Sequence, residues 1–232
     1  MATVALSGII TPSNVVTASS TTTLTNKTLT APTIASANLT TALTLAGAAG
    51  TNGQVLTSAG SGLPTWATVS AGFTLGTPVA TTSGTSIDFT GIPAGVKQII
   101  ISFAGVSTNG STAYLIQIGD SGGIENADYF SRSAGFASGG TAQFDDRTEG
   151  YVNRVNFTQG SATTASGSIT LTLENAGTFS WVATGILFNT SASACAFTSG
   201  NKSLSATLDR VRITTIANTD TFDAGEINIA YI

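Results

Sequence analysis

The sequence predicts an all-β protein: an extended β-rich N-terminal arm or stem followed by an antiparallel β-sandwich domain of jelly-roll type. Three observations carry this. No long stretch shows the helical period. Short apolar-polar alternations recur, separated by Gly, Ser and Asn turns. And the charges divide the chain, since from Met1 to Ala71 the only ionisable side chain is Lys27, while all acidic residues lie between Asp88 and Glu226. Alternation with period two is the signature of a half-buried strand, and regularly spaced short strands favour a sandwich or barrel.

The first element is the arm, residues 1–71, whose boundary is set near Val69–Gly72. It is built from Leu-Thr pairs, such as Leu24-Thr25, Leu29-Thr30, Leu39-Thr40 and Leu43-Thr44. Threonine is stiff at its β-carbon and favours extended chain, and leucine supplies something to bury. Gly, Pro and Asn interrupt often, so its strands should be short; Pro32 has no amide to donate and can end one. Such an arm buries little by itself. Copies wound around one another could cover Leu24, Leu29, Ile34, Leu39 and Leu43 and satisfy strand edges that a lone chain leaves open. The alternative is a flexible Ser/Thr linker. Trp66, just after Pro64, is either an anchor where arm meets head or a core residue of the boundary.

The second element is the domain at 72–232. In SITLTLE, Ile169, Leu171 and Leu173 point one way. In DRVRIT, Val211 and Ile213 face in while Arg210 and Arg212 face out. EINIAYI puts Ile227, Ile229 and Tyr231 on one face. VKQIIISFAGV, AYLIQIGD and FSWVATGILF are more continuously apolar, as for strands covered on both sides. TSIDFT and FTLGTPVA bring the set to about eight. Between Gly119 and Gly150 the pattern is weakest, and there charge and aromatic residues collect. NTDTFDAGE, with Asp220, Asp223 and Glu226, reads as a turn before the last strand.

Composition narrows the function. The chain has 232 residues, is 41% hydrophobic and only 9% charged, with a net charge of −4; an ordinary soluble domain has about 25% charged residues. Without a basic patch, nucleic-acid binding has no electrostatic footprint. A surface so poor in charge has to be hidden, and oligomerisation hides it most simply. The single cysteine, Cys195, permits no internal disulfide, which suits a reducing cytoplasm. No apolar run reaches the ~18 residues of a membrane helix, so no membrane insertion is expected. MATVALSGIITP has no positively charged leader, so no secretory signal is expected.

Two segments point further. TLTNKTLTAPTI (Thr23–Ile34) closely resembles a short repeat widespread in tail fibres and other surface proteins of tailed bacteriophages. GTNGQVLTSAGSGLPTWAT (Gly50–Thr68) resembles a second segment of the same proteins. Together they cover about the first third of the chain. The resemblance implies a non-enzymatic structural virion protein, homotrimeric, with a β-rich stem and an outward-facing head. It would be assembled in the bacterial host cytoplasm and displayed on the virion surface. Its partners would be copies of itself, tail or major capsid protein, and a host surface glycan or protein. Many tail fibres carry an anchoring domain before the repeats. Here residues 1–22 are expected to anchor directly, or the protein attaches elsewhere than the tail. The alternative is therefore a trimeric capsid decoration or cement protein.

No catalytic, cofactor or metal site is expected. GDSGG (Gly119–Gly123) matches the surroundings of a protease nucleophile, but that serine needs a base, and the chain has no histidine. No signature links Lys27, Lys97 or Lys202 to Ser121, so a Gly-rich hairpin turn is expected. FDDRTEGYVNR (Phe144–Arg154) lacks the ligand spacing of a calcium loop and reads as a solvated loop with local ion pairs. Its carboxylates could also serve a glycosidase, but the long parallel β-helix of phage polysaccharide-degrading spikes is not apparent. Tyr114, Tyr129, Phe130, Phe136 and Tyr151 could stack on a sugar or serve packing. The receptor-contact candidates are Tyr129, Phe130, Asp145, Asp146, Arg147 and Tyr151. N-x-S/T sequons such as Asn156-Phe157-Thr158 arise by chance in a chain so rich in Ser and Thr.

Overall fold

The computed structural model describes residues 44–45, 49–69, 72–138, 140–155, 163–189 and 194–232. Leu24, Leu29, Ile34, Leu39 and Leu43 lie outside the described residues. The chain divides between Val69 and Ser70 into two compact units.

In the first unit, β1 (Gln54–Thr57) and β2 (Thr65–Thr68) form an antiparallel hairpin, from Gln54 opposite Thr68 to Thr57 opposite Thr65. The Thr57 hydroxyl donates to the Thr65 carbonyl at 3.0 Å. Half-buried Trp66 lies over Gly50, where a Cβ would come within 2.7 Å of the indole and φ is +71°. Adjacent residues of a strand point to opposite faces, yet Val55 and Leu56 are both exposed, at 44% and 43%. Among the described residues, only the Trp66 side of the hairpin is partly covered, by the backbone at Gly50.

The second unit is all-β and antiparallel. Its strands are β3 (Thr74–Leu75), β4 (Val79–Ala80), β5 (Ile87–Thr90), β6 (Gln98–Thr108), β7 (Tyr114–Asp120), β8 (Gly123–Ile124), β9 (Phe130–Ala137), β10 (Gln143–Arg147), β11 (Tyr151–Asn153), β12 (Ala165–Asn175), β13 (Ser180–Asn189), β14 (Ala194–Ser203), β15 (Arg210–Thr215) and β16 (Phe222–Tyr231). A nine-stranded sheet runs β10-β9-β14-β13-β12-β6-β16-β3, with β4 also on β16; a five-stranded sheet runs β11-β7-β15-β5, with β8 on β7.

The two sheets pack face to face. Ile99, Ile101 and Phe103 of β6, Ile169 and Leu171 of β12, and Ile227 and Ile229 of β16 meet Tyr114, Ile116 and Ile118 of β7 and Val211 and Ile213 of β15 in one buried cluster. The rings of Phe103 and Tyr114 lie 5.7 Å apart across the interface. β6 and β16 shift register between Ala224 and Glu226. There Gly105 and Gly225 take φ of +65° and +89°, and a Cβ on Gly225 would meet the Gly105 carbonyl at 2.3 Å. Only glycine allows that approach.

The alternating strands read from sequence are present with the expected faces inward. FTLGTPVA is split into β3 and β4 at Gly76-Thr77-Pro78, where the Gly76 amide donates to the Ile229 carbonyl at 2.7 Å. AYLIQIGD is covered on both sides, every residue of β7 being buried. Two other expectations are corrected. In β6, Ser102 and Ala104 are exposed, and in β13, Ile186 and Phe188 are about half exposed, so each strand has one open face. Asp223 and Glu226 lie within β16 rather than in a turn before it. Asp223 accepts a hydrogen bond from the Ser107 hydroxyl, and Asp220, in the preceding loop, accepts one from Thr112.

β9, β10 and β14 were not legible as strands. Their alternation is inverted. β9 buries Ser131 and Ser133 and turns Phe130 and Phe136 outward; β14 buries Thr198 and Lys202 and turns Phe197 outward.

Residues 70–232 expressed alone are expected to unfold in one cooperative transition, because both sheets share one core. In that fragment Leu171→Ala should lower the unfolding free energy by about 2–5 kcal/mol, measured by denaturant titration. An unchanged midpoint would count against this core.

Candidate functional site

The candidates between Gly119 and Tyr151 converge on β9, β10 and β11 but lie on both sides of the larger sheet. Tyr129 and Tyr151 are inside, with their rings edge to face at 5.0 Å. The Tyr129 hydroxyl accepts from the Ile118 amide at 2.8 Å and donates to the Glu125 carbonyl at 2.9 Å; that of Tyr151 donates to the Trp181 carbonyl at 2.9 Å. Burial pushes both phenols well above their ordinary pKa. Tyr114 is also buried, stacked with Phe222 at 6.4 Å. These three rings are packing residues; Phe130, 84% exposed, remains at the surface.

Beside Tyr129 lies a charged network. Lys202 is 5% exposed, with its Nζ 2.6 Å from Glu125 Oε2 and 5.5 Å from the centre of the Tyr129 ring. Burial acts to raise the Glu125 pKa, but bonds from Lys202 and Ser205 outweigh it and hold the group below the ordinary carboxylate value. The Ser205 hydroxyl donates to Asp120 Oδ2 at 2.6 Å and the Ser205 amide to Glu125 Oε1 at 2.8 Å. Asp120 is also held low, by the Ser205 hydroxyl first and then by the Gly122 amide.

The GDSGG stretch is the turn between β7 and β8, Gly119 pairing with Ile124. Asp120 Oδ1 caps it by accepting from the Gly122 amide at 2.7 Å, an Asx turn, and Ser121 is exposed. The hairpin reading of these residues stands.

The charge cluster is not a solvated loop. Asp145, Asp146 and Arg147 lie on β10, and the Asp145 side chain is only 7% exposed. Asp145 Oδ1 sits 2.8 Å from Arg147 Nε and its Oδ2 2.7 Å from an Arg154 Nη1. Both arginine side chains are about one-third exposed and border a polar hollow of about 280 Å³ with Ser111, Thr112 and Ile216. Asp146 points the other way, as period two requires. It receives a fork from Arg132 at 2.5 and 2.7 Å on the exposed face. Phe130, Arg132, Ala134, Asp146, Phe197 and Ser199 line an open groove of about 680 Å³. Phe144, Phe197, Ile186 and Phe188 were not singled out by the sequence reading, although FSRSAGFA and ACAFTSGN carry a signal in their spacing of aromatic against Ser and Thr positions.

Among the described residues, no three His, Cys, Asp or Glu side chains converge to hold a metal. No described helix is long and apolar enough to cross a membrane. No family model, no curated protein and no solved structure matches the chain.

Asp145→Ala is expected to destabilise the protein by about 1–3 kcal/mol. That is below the loss from a fully buried pair, since the arginines are partly solvated. Asp146→Ala, on the exposed face, should leave the denaturation midpoint nearly unchanged. Equal effects would contradict the two-sided placement.

The carboxylates of Asp120 and Glu125 have lower pKa values folded than unfolded. Their contribution is therefore present above the unfolded pKa, near 4, and lost as pH falls through that range toward the folded value. Ser205→Ala should cost about 1–2 kcal/mol at neutral pH and should flatten the fall in melting temperature between about pH 5 and pH 3. A variant that tracks the parent's pH profile at a constant offset would refute the link.

Proposed function

We propose that the protein is a non-enzymatic structural protein of a tailed-phage virion, a trimeric fibre whose stem carries a jelly-roll-like β domain for host attachment. The observation that carries this reading is the pairing of two phage-surface-like segments, in order, with a hairpin whose Val55 and Leu56 stand about half open on opposite faces among the described residues. A strand pair of this kind has little reason to stay ordered alone and good reason to be wrapped by copies of itself. The strand order supports the jelly-roll description: β5 and β15 in the smaller sheet lead into β6 and β16 in the larger one, which then pair with each other.

In this reading the arm attaches to the particle, through tail or major capsid protein, and the β domain faces outward. The receptor edge is the end of β9 at Phe130, with the Arg132–Asp146 pair beside it. A highly exposed aromatic next to a bidentate ion pair suits a sugar ring or a flat protein surface. Tyr129, Tyr151 and Asp145 have no direct part in that contact, being buried; they hold the edge in place.

The test is competition. The soluble full-length protein, with a solution mass of three chains, should block adsorption of particles that carry it. Phe130→Ala should weaken that block about tenfold without moving the melting curve. If excess soluble protein leaves adsorption intact, and filled heads lacking the protein break sooner on heating, the protein is a decoration trimer instead.

A further inference from the structure

We infer that the outward face of β9, β10, β13 and β14 is an interface between copies of this chain, seated on the same domain of a second copy. Ladder register assembles it. Phe144 lies opposite Ala134, Ala134 opposite Phe197, and Phe197 opposite Ile186. In the next row Phe136 lies opposite Cys195, and Cys195 opposite Phe188. All these side chains share one face of the sheet. Phe136 and Phe197 meet edge to face at 5.9 Å. The exposures are 45% for Phe136, 63% for Phe144, 48% for Ile186, 47% for Phe188 and 44% for Phe197.

Size argues for a protein partner. At roughly 200 Å² for a fully accessible large side chain, five half-exposed ones present about 500 Å² of contiguous apolar surface. That is near the upper limit for a free monomer, about 300–600 Å², and more than half of the ~800 Å² each side contributes to a standard stable interface. The adjoining outward residues Ser168, Thr184 and Ser199 extend the face without charge.

Charge argues for a second copy. Among the described residues, the only ion pair on the rim is Arg132 with Asp146, and it is satisfied within the chain. The face offers no net charge to select an acidic or basic partner, and no lysine cluster to hold an anionic membrane. Around a threefold axis one part of the face meets a different part of the neighbouring copy's, and a neutral rim sets no like charges against each other there. Phe130, at the opposite end of β9 from Phe136, stays outside this contact. The assignment deepens the proposed homotrimer and rests on it.

Cys195 makes the test direct, because it is the only cysteine of the chain and sits in this face, partly exposed in a single copy. The full-length protein is treated with a bulky maleimide under native conditions, and its solution mass is measured on the same sample. The parent thiol should react at least about tenfold more slowly than in Phe144→Asp or Ile186→Asp, since burial in an assembly limits reaction to its open fraction. Phe144 lies on the edge strand and Ile186 is half exposed, so both variants should fold, which circular dichroism checks. Equal labelling rates in parent and variants overturn the interface. If the mass is then three chains, the trimeric reading survives without this face; if it is one chain, both fall. A protected thiol in a two-chain particle keeps the interface and refutes the trimer. A protected thiol in a one-chain particle assigns the face to the chain's own segments and overturns the proposal.

Discussion

The packing of this domain turns on how the outer edge of β11 is satisfied. Among the described residues β11 pairs only with β7, so the amides and carbonyls on its far side meet no strand there. The larger sheet supplies side chains instead. Ser131 Oγ accepts from the Val152 amide at 3.0 Å, Ser133 Oγ from the Arg154 amide at 3.0 Å, and the Thr198 hydroxyl donates to the Val152 carbonyl at 2.9 Å. Asn153 Nδ2 donates to the Ala196 carbonyl at 3.1 Å and to Thr198 at 2.9 Å. Each bond adds only about 0.5–1.5 kcal/mol net, but each group left bare would cost about 1–3 kcal/mol. The sheets are thus joined by hydrogen bonds at this end and by apolar burial at the other.

That requirement sets the character of the surface. Since β9 and β14 must point Ser131, Ser133 and Thr198 inward, strand periodicity forces Phe136 and Phe197 outward. A one-residue slip would bury the phenylalanines but strand the β11 edge. The exposed aromatic face is therefore tied to the internal polar seam, and the two cannot be changed independently. The same rule divides neighbouring carboxylates on β10: Asp145 turns in to neutralise Arg147 and Arg154, and Asp146 turns out to Arg132.

Every described arginine and Lys202 pairs with a carboxylate, while Asp128, Glu149, Glu174 and Glu226 stay exposed at the surface. Asp88 receives a fork from Arg212, Asp209 pairs with Arg210, and Lys202 is buried against Glu125. What is left outside is mostly Ser, Thr, Asn and apolar side chains, with a few carboxylates among them. The hairpin of β1 and β2 also has apolar residues at its surface, Val55 and Leu56 both being open. Both units carry exposed apolar side chains among the described residues.

The sequence by itself determined the all-β class, the division of charge along the chain, and the strands whose apolar residues face in, such as SITLTLE, DRVRIT and EINIAYI. In these, local alternation and core burial demand the same residues, so the pattern is readable without the fold. It also determined that GDSGG would be a turn, because a glycine-rich stretch after an apolar strand needs no tertiary partner to bend. Only the tertiary structure decided the rest. β9, β10 and β14 show no readable strand pattern because their inward positions are filled largely by Ser, Thr and Asp, which meet groups distant in the chain. Asp145 read as a surface residue, and Tyr129 and Tyr151 stayed open between receptor contact and packing, for the same reason. A tyrosine or aspartate is polar in sequence, and whether its polar atoms face water or a buried partner depends on which strand edges the fold leaves unpaired.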